Sequence, residues 1–320
     1  MVLYINMKKR DSWFKRYGAL LMAAAFIVLV ISTPSQAETV KHRTFAFPEE
    51  AVKALIEALK SKDAKAVEAI FGPGSRDLLW SGDPVADETA REQFLRRYAE
   101  KSRLEVSGAK ASLTLGNDDW PFAIPIMKKE GLWSFDSKQG REEILARRIG
   151  LNELSAIQAC LAYVDAQRDY GLKDRDGDGL LEYAQKFRSD KGKKNGLYWE
   201  VKAGDEQSPL GPLFAEAQEK GYTVKQSGGK PAPYYGYYYR ILTAQGKSAP
   251  GGAYDYVVNG SMIGGFAMVA YPAKYGSSGI MTFIVNHDGV VYQKDLGKNT
   301  EKTAQAMKLF NPDSTWKKVK

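Results

Sequence analysis

Leu104-Glu105-Val106 and Ala111-Ser112-Leu113-Thr114-Leu115 decide the fold, because apolar side chains stand at alternate positions in both. Alternation puts one face of an extended strand inward and the other outward. A turn at Gly116-Asn117-Asp118-Asp119 follows, then Phe122, Ile124 and Ile126, then a Glu130-Gly131 hairpin turn into Leu132-Trp133-Ser134-Phe135. This is the pattern of a small antiparallel sheet. Before it the period is helical. Phe47-Pro48-Glu49-Glu50 places proline and acids in a first helical turn, where the missing N–H and the helix dipole favour them. Val52, Leu55, Ile56 and Leu59 then share a face, Ser61-Lys62-Asp63 breaks it, and Val67, Ile70 and Phe71 form a shorter helix ended by Gly72-Pro73-Gly74. A third helix is predicted over 87–101, burying Phe94, Leu95 and Tyr98.

At about Ser137 the chain turns helical again, and the seam between two α+β domains, 38–136 and 137–320, is placed there. Ile144, Leu145 and Ile149 mark one helical piece, and Leu154, Ile157, Leu161 and Val164 form an apolar stripe on the next, with Gly150 expected to interrupt or bend them. After Tyr170-Gly171 come an acidic loop, a Trp/Tyr segment, a short helix around 213–219 and strand runs at 237–242, 265–271, 280–285 and 290–293, with Asp288-Gly289 as a hairpin turn.

The first residues carry an address. Lys8, Lys9, Arg10, Lys15 and Arg16 precede an apolar run over about 19–31, and Ser35-Gln36-Ala37 offers the small residues a signal peptidase reads. Residues 1–37 therefore read as a cleavable signal peptide, and a periplasmic or secreted protein is expected. The run is shorter than the roughly 20 residues a spanning helix needs, so no transmembrane segment is expected after cleavage. Cleavage removes five basic residues and one acid, and the formal charge falls from +8 to +4 over the remaining 283 residues. That excess forms no concentrated basic face, so nucleic acid is not an expected partner. Lys191-Gly192-Lys193-Lys194 reads as a solvated turn. Cys160 is the only cysteine, so no internal disulfide forms; it sits among apolar helix residues and reads as a small buried hydrophobe.

One motif has chemistry in its spacing. In Asp174-Arg175-Asp176-Gly177-Asp178-Gly179, carboxylates at alternate positions converge on one hard cation if the chain curls. In a calcium loop of the EF-hand type over 174–185, the ligands would be Asp174, Asp176, Asp178, the Leu180 carbonyl, Glu182 and, at the twelfth position, Gln185. A neutral Gln there lacks the bidentate bite of Glu, and Tyr183-Ala184-Gln185-Lys186-Phe187 would have to begin the exit helix. The same residues read equally as an exposed Asp/Gly turn whose side chains cap their own backbone. The ion, if bound, would be structural Ca2+, since a crowded oxygen cage leaves little room to activate water.

Tyr234, Tyr235, Tyr237, Tyr238 and Tyr239 crowd five phenols into six residues, with Tyr198-Trp199 and Tyr254-Asp255-Tyr256 on either side. Such rings suit a sugar or a partner protein. They equally suit a strand, which is the favoured reading. His42 and His287 are the only histidines, and no nucleophile elbow, zincin helix, phosphate loop or dinucleotide fingerprint is present, so no catalytic residue is assigned.

Gly116-Asn117-Asp118-Asp119-Trp120-Pro121-Phe122, Gly131-Leu132-Trp133-Ser134-Phe135-Asp136, Arg147-Arg148-Ile149-Gly150-Leu151-Asn152-Glu153-Leu154, the Asp174 loop and Gly196-Leu197-Tyr198-Trp199 together resemble a bacterial exported family catalogued as domain of unknown function 2950. The resemblance spans the mature chain and implies an envelope or secreted protein; it brings no activity. By architecture, residues 45–136 are similar to cone-shaped NTF2-like domains, and residues 152–293 are similar to the heads of type IV pilins. Such likeness licenses no function by itself. The expected function is a non-catalytic binding or structural module for an envelope protein or polysaccharide. The alternatives are an envelope hydrolase acting on a cell-wall or extracellular polymer, and a pilus or secretion-associated subunit.

Overall fold

The computed structural model describes residues 41–175, 177–202, 204–222 and 232–319; the expected signal peptide, residues 1–37, lies outside them. These described residues form one unit with two hydrophobic cores.

The first core begins with four helices. They are α1 (Pro48–Lys60), α2 (Ala64–Phe71), α3 (Arg76–Leu79) and α4 (Pro84–Glu100). Pro48 opens α1 with Glu49 and Glu50 in its first turn, and the Asp63 carboxylate accepts Ala66 N–H to cap α2. α4 begins at Pro84, earlier than its apolar pattern indicates, because Asp83 caps it by accepting from Val85 N and Ala86 N, each at 3.1 Å. Phe94, Leu95 and Tyr98 are only half-buried on α4. The single turn α3 is too short to leave a periodic signal.

Five short strands follow, β1 (Ser102–Ser107), β2 (Lys110–Leu115), β3 (Trp120–Pro121), β4 (Ile126–Lys129) and β5 (Leu132–Phe135). They pair antiparallel in the order β1-β2-β4-β5, with β3 also on β2. Ala111, Leu113 and Leu115 point inward at alternate positions of β2 as expected, but Val106 on the edge strand β1 is exposed. Asp118 and Asp119 are clamped to Arg97 at 2.7 Å and Lys101 at 2.9 Å, which ties the turn before β3 to α4.

Helix α5 (Ser137–Tyr170) runs unbroken for 34 residues. Gly150 does not interrupt it: one glycine in a helix interior costs only about 1 kcal/mol, and packing on both sides outweighs that. Ile144 and Leu145 pack on the first core, and the later turns pack on the second. The expected stripe is also corrected. Leu154 and Leu161 are exposed, and the sheet takes the neighbouring face of Ala156, Ala159, Cys160, Tyr163, Val164 and Gln167. Small side chains there let helix and sheet approach closely. Burial pushes the Cys160 thiol up to about 12, as suits an inert hydrophobe.

The remaining elements are α6 (Gly211–Glu219), β6 (Tyr237–Leu242), β7 (Ala244–Gln245), β8 (Tyr254–Asp255), β9 (Val257–Val258), β10 (Ser261–Met262), β11 (Ala267–Pro272), β12 (Met281–Asn286), β13 (Tyr292–Asp295), α7 (Thr300–Ala306), β14 (Leu309–Phe310) and β15 (Lys317–Lys318). The main sheet is antiparallel, in the order β15-β13-β12-β11-β6. All six residues of β11 are buried, so both faces of the sheet are covered there. α5 lies against β11 and β12, and α7 lies against β11. The small sheets β14-β7-β8 and β9-β10 complete a mixed α+β architecture.

Polar groups join the cores. Buried Asp83 accepts from Tyr222 Oη at 2.9 Å and Gly236 N at 2.8 Å, so a helix cap of the first core also holds the loop before β6. Arg148 donates to the carbonyls of Asp77 and Leu78. Asn152 donates to Ser278 O, and the Glu153 carboxylate accepts from Ile280 N and Met281 N. Gly236 has φ +70° and a Cβ there would lie 2.5 Å from Asn152 Nδ2, so only glycine fits this approach. Among the described residues, no helix is long and apolar enough to cross a membrane.

Candidate functional site

Between α5 and α6 the chain is irregular but tied down by its own backbone. Leu197 N donates to Lys186 O at 3.0 Å, Tyr198 N to Phe187 O at 2.8 Å, and Ser189 N to Tyr198 O at 2.8 Å. This pairing sets Phe187 and Arg188 opposite Tyr163 and Ala159 of α5. Across from them, α6 supplies Leu213, Phe214 and Ala217. On the far wall the turn 234–237 has both central residues left-handed, Tyr235 at φ +48° and Gly236 at φ +70°. That geometry returns the chain tightly into β6. It brings Tyr234, Tyr238 and Tyr239 to one recess.

The recess is a cavity of about 650 Å³. This lies within the range of roughly 300–1,000 Å³ for small-molecule sites. Its rings are held edge-on or stacked: Tyr163 against Phe187 at 5.8 Å, Tyr222 against Tyr234 at 5.1 Å, and Phe214 on Tyr198 at 4.1 Å and 7°. Tyr163 Oη already donates to Ala267 O and Tyr239 Oη to Tyr234 O, so those two rings present carbon to the space. Burial pushes the Tyr234 phenol up to about 12 and those of Tyr163, Tyr222 and Tyr239 higher than usual, with Asp83 adding to the shift at Tyr222. These phenols are neutral at ordinary pH. The described lining includes no carboxylate, imidazole, thiol or aliphatic hydroxyl; its one charged residue is Arg188.

A second cleft of about 610 Å³ lies on the other side of α6 and shares Arg188. Leu213, Phe214 and Ala217 face the first space, whereas Gly211, Ala215 and Gln218 face the second. The helix is thus a partition that turns its larger apolar side chains to the first space and Gly211, Ala215 and Gln218 to the second. Tyr198, Glu200, Gln207 and Ser208 make the second cleft the polar one. The Arg188 guanidinium pairs with Glu200 at 2.8 Å and lies 5.9 Å from the Tyr198 ring centre.

Of the expected calcium ligands, Asp174, Asp178, Leu180, Glu182 and Gln185 lie among the described residues. Asp174 accepts Gly177 N at 2.7 Å and Gly179 N at 2.9 Å, and Asp178 accepts Leu180 N at 2.8 Å, so both cap the loop's own backbone. Gln185 donates to Gly260 O, and Glu182 is half-buried. Asp176 lies outside the described residues. No three His, Cys, Asp or Glu side chains are grouped to hold a metal ion among the described residues. The segment 183–187 is irregular, with Tyr183 bridging to Met262, rather than the start of a helix. Arg175 turns inward with its side chain 2% exposed, over Tyr170 and Trp199, and reaches Glu206 at 2.9 Å. Lys173 and Lys194 also meet Glu206, and together these cations hold its carboxyl down at about 2.

His287 lies between Tyr256 and Phe266, with Asp288 3.9 Å from its Nε2, and His42 packs on Gly72; neither faces the aromatic cavity. The tyrosine cluster divides between packing and lining. Tyr237 is fully buried and donates to Met281 O, while Tyr234, Tyr238 and Tyr239 reach the cavity. Sequence reasoning missed Phe187, Arg188, Ser208, Leu213 and Phe214 as site residues, because no local motif joins them.

The sequence pattern of a family described as Protein of unknown function (DUF2950) matches residues 42–319. The chain belongs to this family. The match takes in both cores and every residue named around the two cavities, so DUF2950 is the domain that builds the recess. No curated protein and no solved structure matches the chain.

Proposed function

We propose that this protein is an exported, non-catalytic binding module that holds a small, largely apolar ligand in the aromatic cavity between α5, α6 and β6. The observation that carries the reading is the lining: a space of about 650 Å³ faced by aromatic and aliphatic side chains, with Arg188 as the single charged residue of the described lining. Rings that make two-sided contact in a core here keep one side toward the space. The described lining offers neither an acid–base pair nor a nucleophile, which favours binding over the hydrolase alternative. The signal-like pattern of residues 1–37 supports export to the periplasm or beyond.

A fluorescent naphthylamine probe tests the site. The parent protein is expected to bind it with a rise in emission, and Ala217→Trp, which fills the cavity from a half-buried helix position, is expected to abolish the rise without lowering the unfolding temperature. Unchanged binding in that variant would overturn the proposal.

Calcium in the acidic loop is a separate proposal, supported by the spacing of Asp174, Asp176 and Asp178. Added Ca2+ should raise the unfolding temperature of the parent but not of Asp178→Asn; an unmoved parent counts against it. The cone-like and pilin-head-like readings of the two halves are proposals of shape, supported by their order of helices then strands, and the binding function does not depend on them.

A further inference from the structure

The partition helix α6 has an undressed N-terminus. It starts at Gly211, whose N–H donates to Ser208 O at 2.8 Å, with Pro212, which has no N–H, beside it, and no side chain caps it. The first turn of a helix is the positive end of its dipole, which favours an anion. A second feature points the same way. Ser208 is 2% exposed, its Oγ has no hydrogen-bond partner, and a Cβ on Gly211 would lie 3.1 Å from that oxygen. Both residues line the polar cleft, so a buried hydroxyl without an acceptor stands at the head of an uncapped helix. Orphaned buried hydroxyls are costly in a folded protein unless something meets them.

The cleft also has the matching charge. Arg188 stands in it, and its present partner Glu200 has a side chain 79% exposed. An exposed ion pair of that kind is weak and is readily exchanged for another anion. Of the stretch 186–202, Arg188 and Glu200 are the charged residues that line the cleft, while Lys186 is paired with Asp190 and Lys194 with Glu206. Arg188 is also the residue the two cavities share.

We propose that the polar cleft is an anionic headgroup site, and that the ligand is a single-chain amphiphile whose phosphate or carboxylate meets Ser208 and Arg188 at the positive end of α6 while its alkyl chain enters the aromatic cavity past Arg188. The inference rests on the apolar-cavity reading and names the class of ligand. An arginine fork with a hydroxyl and a helix N-terminus suits an oxyanion with several oxygens. Glu200 swings into solvent on binding, so removing its charge strengthens binding.

Calorimetric titration with decanol, monodecyl phosphate and inorganic phosphate, each below its aggregation limit, tests this. The parent is expected to bind monodecyl phosphate at least about tenfold more tightly than decanol, a difference of about 1.4 kcal/mol. Inorganic phosphate should bind far more weakly than either. Ser208→Ala should shrink the phosphate advantage while leaving decanol affinity and the unfolding temperature in place, Arg188→Gln should shrink the ratio of the two affinities, and Glu200→Gln should enlarge it. Equal affinity for decanol and monodecyl phosphate overturns the headgroup site and leaves the apolar-cavity reading standing. Inorganic phosphate binding as tightly as the alkyl phosphate overturns the amphiphile and assigns the site to the free ion. Phosphate binding that Arg188→Gln abolishes, with no decanol binding at all, keeps the anion site and overturns the aromatic cavity as its companion.

Discussion

In the first core, Phe71, Phe122 and Phe135 fill the space between the helices and the sheet, with centroids 5.1–6.3 Å apart. In the second, Tyr163, Phe187, Phe214 and Tyr239 stand around a space of about 650 Å³ that no described side chain fills. The residue types are similar, and the closure is not. Rings that meet one another on all sides contribute stability; rings that keep one face toward an empty space are held there by their surroundings, and that face is available to a ligand.

Removing a ring from each region should expose this contrast. Phe135→Ala is expected to lower the unfolding free energy by about 3–5 kcal/mol, because a filled core leaves a cavity behind. Phe214→Ala, which removes the stack on Tyr198 but opens onto an existing space, should cost less, about 1 kcal/mol. Urea unfolding of the pair measures both, and equal losses would break the comparison. The polar seam comes next. Asp83→Ala leaves Tyr222 Oη and Gly236 N without their acceptor and uncaps α4, and should cost about 2–3 kcal/mol in the same experiment.

The first core was also the more legible of the two. Val52, Leu55, Ile56, Val67, Ile70 and the alternating residues of β2 give periods that local sequence alone interprets, and each lies where its period puts it. On α5 the same rule failed. Leu154 and Leu161 form an acceptable helical stripe, but the sheet accepted Ala156, Ala159 and Cys160 instead, because close packing selects small residues that a hydrophobicity pattern ranks low. The site was less legible still. Tyr234, Tyr238 and Tyr239 drew notice by crowding, but Phe187, Arg188, Ser208 and Phe214 come from irregular chain and a short helix whose meeting depends on the tertiary fold.

Gly150 sharpens the point about α5. Its Cβ would meet nothing within 4 Å, so Gly150→Ala should raise stability by about 0.5–1 kcal/mol if the helix is continuous in solution. A loss would mean that the bend expected from the sequence is used. The smallest effect belongs to Glu206. Its carboxyl is held at about 2 in the folded protein against an ordinary 4.5, so its contribution is present above pH 4.5 and is lost as the pH falls toward about 2. Acid titration of thermal stability should show a shallower slope across that window in Glu206→Gln than in the parent.

Helix α5 has one further consequence. Its 34 residues make a rod about 51 Å long that forms a wall of each core. Severing it anywhere would strip a lining from one half or the other, so neither half is a spare part. A single proteolytic nick within α5 is therefore expected to loosen the recess along with the scaffold behind it.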